Sequence, residues 1–126
     1  VSEPVQAWPP TPGHYATTLV KNGPRVAVLI WFGAPIIDGE EQDRSHRWNI
    51  EVDGATDRWE KGDDGYRCRV ALDIDSFWPW VARDPIEPSE YQYLKAHSAW
   101  AKEHAPHHPK AAPRSPVDFH TLPIRF

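Results

Sequence analysis

The run Arg25 to Gly33, RVAVLIWFG, constrains this chain more than any other stretch. Val26, Val28, Ile30 and Phe32 fall on one side of an extended strand, and Ala27, Leu29 and Trp31 fall on the other. Both sides are apolar, so the strand must be covered twice. It is expected at the centre of a sandwich, a small barrel, or a sheet with a helix packed across it. Upstream lies a more mixed run, His14 to Val20, with Tyr15, Thr17 and Leu19 on one side and His14, Ala16, Thr18 and Val20 on the other. That composition places it nearer an edge. Lys21-Asn22-Gly23-Pro24 separates the two runs, and Asn-Gly reaches positive φ at least steric cost. The spacing therefore predicts a hairpin over 14–33 with Asn22 and Gly23 as a two-residue connection. Pro24 lacks an amide hydrogen and is tolerated only outside the ladder.

Further along, Trp48, Ile50 and Val52 alternate with Asn49 and Glu51, a half-buried strand that ends at Asp53-Gly54. A second alternation, Tyr66, Cys68, Val70 and Leu72 against Arg67, Arg69 and Ala71, predicts a strand over 66–72 with its arginines towards solvent. The charged stretches 34–47 and 55–65 read as loops. Residues 73–88, rich in proline and aromatics, read as a connector lying across the core. One helix is predicted, from Pro88, with Ser89 and Glu90 in its first turn, to His104 ahead of Pro106. Tyr91, Leu94, Ser98 and Ala101 form one stripe on it, Tyr93, Ala96 and Trp100 a second, and the two together read as a broad buried face.

Fourteen prolines among 126 residues gather towards the ends. Residues 1–12 read as a polyproline-like arm. Residues 105–126 read as an extended tail in which Val117, Phe119, Leu122, Ile124 and Phe126 form a final edge strand or a clamp along the body. The expected architecture is a single α+β domain over 13–104: a small twisted antiparallel sheet or open barrel, one helix in the C-terminal half, and proline-rich termini.

No apolar run approaches the roughly 20 residues that cross a bilayer, so no membrane span is expected. The first residues lack the basic start and apolar middle of a secretory signal, which predicts a cytoplasmic protein. A single cysteine, Cys68, excludes an internal disulfide and a multi-cysteine zinc site. A net charge of −4 gives no bulk attraction to a polyanion.

Histidines at 97, 104, 107, 108 and 120 are the obvious metal candidates, but prolines interrupt the group and no His-Glu-x-x-His spacing is present. Solvated side chains at a helix C-terminus account for them better, and no metal or cofactor is expected. Neither Ser45 nor Ser98 sits in a Gly-x-Ser-x-Gly turn, and no phosphate-binding loop occurs. A hydrolase or metal enzyme is the least favoured class. Asp38, Glu40, Glu41 and Asp43 cluster in one loop, as do Asp57, Glu60, Asp63 and Asp64 in another, and these read as acidic surfaces rather than acid–base pairs. Arg44, Arg47 and Trp48, with Arg67 and Arg69, supply the cations and the ring of a single-strand nucleic-acid surface, and equally the residue types that dominate protein interfaces. The expected binding residues are these five with Asp38, Glu40 and Glu41.

Four segments, IWFG at Ile30 to Gly33, DRSHRW at Asp43 to Trp48, Trp78-Pro79 and Glu90-Tyr91, resemble a family of small uncharacterised proteins encoded in bacteriophages and prophages. The likeness runs from Gly13 to about Pro116, with 55–72 as an elaboration. It implies a context rather than a chemistry: a non-enzymatic accessory protein, working in the host cytoplasm, that binds and blocks a host protein such as a CRISPR effector or another defence component. A small nucleic-acid-binding, barrel-like module is the alternative.

Overall fold

Strand β2 (Arg25–Gly33) is the middle of a three-stranded antiparallel sheet, with β1 (Gly13–Thr18) on one side and β5 (Arg47–Val52) on the other. The computed structural model describes residues 8–42 and 46–113. Both sides of β2 are covered, as its pattern requires. On one side, Val26, Val28 and Ile30 join Tyr15, Ile50 and Val52 in a core closed by Leu72, Ile74, Trp78 and Val81. The lid of this core is the 73–82 connector, coiled into a 3₁₀ turn at Ile74–Ser76 and a short helix α1 (Trp78–Val81). On the other side, Ala16 and Ala27 face each other across the ladder and meet Tyr91 and Leu94 of helix α2 (Pro88–His104). Two alanines leave room for the helix to approach closely, and the Tyr91 ring fills the gap. The domain is α+β, a small antiparallel sheet between one long helix and a helical connector, and among the described residues the sheet does not close into a barrel.

The outer edge of β1 is sealed by the chain at 84–86: the Ala16 N–H donates to Asp84 O at 2.9 Å and the Ile86 N–H to His14 O at 3.0 Å. Arg25 clamps the same segment through Asp84 (2.8 Å). Helix α2 is pinned to β5 by Lys95 to Glu51 (3.3 Å) and Lys102 to Asp53 (2.9 Å).

Six sequence expectations need correction. The β1–β2 link is not a two-residue turn: the ladder ends at Thr18↔Arg25, and 19–24 form a longer connection. Asn22 alone takes positive φ (61°), in a turn closed by the Gly23 N–H on Val20 O, while Pro24, with no donor, stays outside the pairing. The stretch 34–47 is not simply loop, since β3 (Ile36–Ile37) pairs with β4 (Glu40–Glu41). The two-residue geometry expected of Asn-Gly appears at Asp38-Gly39 (φ 54° and 77°) and again at Asp53-Gly54 (φ 51° and 85°). The stretch 55–65 contains β6 (Asp57–Lys61), paired with β7 (Arg67–Ala71) in a separate two-stranded ribbon. Tyr66, just ahead of β7, and Cys68 within it do not turn inward; the strand is exposed until Val70, and burial begins at Leu72, just beyond it. On α2 only the Tyr91, Leu94, Ser98 and Ala101 stripe is buried, whereas Tyr93 and Trp100 stand 60% and 52% exposed.

Residues 105–113 are not merely extended. They turn back along α2 and form a 3₁₀ turn at Pro109–Ala111. The expected edge strand near 117–126, most of the N-terminal arm, Asp43, Arg44, Ser45 and His120 lie outside the described residues. No described helix is long and apolar enough to cross a membrane.

Candidate binding surface on the β6–β7 ribbon

The ribbon leaves the sheet at a tight reversal. Val52 and Ala55 exchange both backbone hydrogen bonds (2.8 and 3.0 Å) around Asp53-Gly54, and the next residues diverge into β6. At the far end, the Gly62 N–H donates to Tyr66 O, the Gly65 N–H to Gly62 O, and the Tyr66 N–H to the Asp64 carboxylate, closing the tip. Register then sorts the side chains. Asp57↔Ala71, Trp59↔Arg69 and Lys61↔Arg67 share one face; Arg58↔Val70 and Glu60↔Cys68 share the other.

Trp59 is the centre of the first face. The Arg69 guanidinium lies 4.6 Å from its ring centroid and that of Arg67 lies 5.3 Å away, yet the indole remains 51% exposed. Two cations against one ring draw on its negative face, each such contact at an exposed site being worth about 0.5–1 kcal/mol. Arg69 is fixed from behind as well. Its Nη1 reaches Asp57 at 3.0 Å and its Nε stands 3.8 Å from Asp38, while the second oxygen of Asp57 accepts the Asp38 backbone N–H at 2.6 Å. The β3–β4 turn and the ribbon are thus joined through one carboxylate. At the tip Tyr66 is 76% exposed.

Of the residues named from sequence, Arg67, Arg69 and Asp38 converge here, while Glu40 and Glu41 are exposed on β4, across β3. Arg47 and Trp48 do not belong to this cluster: they start β5, about 17 Å from its Val52 end at strand rise. Trp48 packs half-buried against the first core and meets Phe32 edge-on at 5.2 Å. Arg44 lies outside the described residues. Asp57, expected on an acidic surface, is tied instead to Arg69 and to the Asp38 N–H; Trp59 gives no strand signal because β6 carries a single apolar residue, and the available signal is Gly62-Asp63-Asp64-Gly65 between two five-residue runs of hairpin length.

The histidines have other work. His104 stacks on Trp100 with ring planes within 2°, and Nδ1 of His97 and of His108 accept from the Lys110 side chain and backbone. Among the described residues no group of histidine, cysteine or carboxylate side chains is arranged to hold a metal. Ser98 is buried on the inner stripe of α2 with its hydroxyl unpartnered. The chain matches no family model, no curated protein and no solved structure.

Proposed function

We propose that this is a small non-enzymatic accessory protein that acts by binding another protein, with the Trp59 face of the β6–β7 ribbon as its main contact. The observation that carries this reading is the ring of Trp59, half exposed with the Arg69 and Arg67 guanidinium groups packed against it at 4.6 and 5.3 Å. Tryptophan and arginine dominate the energetics of protein interfaces, and a side chain already held in place loses little entropy on binding. The phage and prophage resemblance of the Ile30 to Gly33 and Asp43 to Trp48 segments supports a host protein as the target, a component of bacterial defence such as a CRISPR effector. Single-stranded nucleic acid is the weaker reading. Arg69 is already neutralised by Asp57 and Asp38, and exposed acids at 40, 41, 63 and 64 would repel a phosphate chain.

Affinity capture from nuclease-treated host lysate tests this. The wild-type chain should retain one protein in stoichiometric amount, and Trp59→Ala with Arg67→Glu should release it while leaving the circular dichroism unchanged. Capture that disappears with nuclease treatment, or that the double substitution does not weaken, would overturn the proposal.

A further inference from the structure

A second exposed aromatic surface runs along α2, remote in sequence from the ribbon. Tyr93, His97, Trp100 and His104 succeed one another at helical spacing, with ring centroids 5.6, 6.1 and 5.4 Å apart. Ala96 sits among them, so the two large rings stand either side of a shallow, open depression of about 440 Å³ lined by Tyr93, Ala96, His97 and Trp100. A cation lies beside two of these rings. Residues 105–113 fold back so that Lys110 Nζ lies 3.0 Å from His97 Nδ1 and 5.8 Å from the Tyr93 ring centroid. An ammonium can only donate, so in this contact Nδ1 of His97 is the acceptor.

Lys110 differs from the two lysines of α2. Lys95 and Lys102 are paired to Glu51 and Asp53, but among the described residues no carboxylate is within ion-pair distance of Lys110. Among the described residues the depression is lined by Tyr93, Ala96, His97 and Trp100, with the Lys110 ammonium beside His97, the imidazoles of His108 and His104 against His97 and Trp100, and Glu103 on the flank one turn from Trp100. Charge complementarity calls for an acid, and the exposed rings call for an apolar neighbour to it.

We infer that this face of α2 docks a protein segment in which a carboxylate adjoins a large apolar side chain, the carboxylate on Lys110 and the apolar group between Tyr93 and Trp100. The surface is independent of the ribbon, and a partner too large for one could engage both.

The test is a nitrogen-15 NMR titration of the full chain with the blocked peptide Gly-Glu-Leu-Glu-Phe-Gly, and with its counterpart carrying glutamine at both acidic positions. Saturable shifts are expected at the Trp100 indole N–H and the Lys110 amide. The glutamine peptide should bind about two- to fivefold more weakly, the scale of one exposed charge pair, and Lys110→Gln should erase that difference. Trp59→Ala should leave the titration unchanged, so its outcome is separable from that of the ribbon. No shift at Trp100 at millimolar peptide, or equal binding of both peptides, overturns the inference. So does a dimer in sedimentation that Trp100→Glu disperses, because a second copy would then be the occupant.

Discussion

Ser98 places a hydroxyl on the buried stripe of α2 with only 4% of the residue exposed and no hydrogen-bond partner. Its neighbours on that stripe, Leu94 and Ala101, are apolar, so the hydroxyl lost its water without replacement. Ser98→Ala removes the orphaned group and installs the best helix former at the same volume or less. It is expected to raise stability by up to about 1 kcal/mol, read as a higher denaturant midpoint at unchanged slope. Asn49 is the contrasting case. Its Oδ1 is also without a partner, but its amide donates to Gly33 O and Arg47 O at 2.9 Å each and ties the ends of β2 and β5 together. A polar side chain that fixes two backbone oxygens has a structural reason to be buried that Ser98 lacks.

At the scale of elements, the seating of α2 depends on Tyr91, whose ring lies against Ala16 and Ala27 and whose hydroxyl donates to the Glu51 carboxylate. Burial, then the hydrogen bond to Glu51, then that carboxylate's negative charge push the Tyr91 hydroxyl above the usual tyrosine range, and burial alone does so for Tyr15. Below about pH 10 both the folded and unfolded chains keep these protons, and stability does not respond. Above it the unfolded chain releases them while the fold retains them, so stability falls with rising pH, by at most about 1.4 kcal/mol per pH unit for each tyrosine. Alkaline denaturation followed by tyrosinate absorbance should show two tyrosines ionising only with unfolding, and Tyr91→Phe should shallow the decline. The same element shows what sequence can convey. The ends of α2 were legible because proline and the first-turn acid mark its start and Pro106 its stop. Which stripe faced the sheet was legible only in part: Tyr93 and Trp100 are as apolar as Tyr91 and Leu94, and periodicity cannot say how wide a strip the sheet covers. The doubly apolar β2 identified its own place because only a central position accommodates it. The ribbon did not, because a projecting hairpin needs no buried face and leaves no alternation to read.

Taken as a whole, the molecule is a body of three layers with an appendage. The cores on either side of β2 are closed by residues from 72–81 and from α2, none of which lies in β6, and β7 contributes none of the buried core side chains before Leu72. Backbone hydrogen bonds within the ribbon therefore open without disturbing either core. Hydrogen exchange should reveal two levels of protection, with β2 amides opening only in global unfolding and β6–β7 amides opening at markedly lower free energy. Equal protection across both would show that the ribbon is part of the body. The seal along β1 has a consequence of another kind. With His14 O and the Ala16 N–H already occupied by 84–86, that flank offers no template on which a neighbouring chain can add, so crowding at high expression cannot extend the sheet into aggregates from this side.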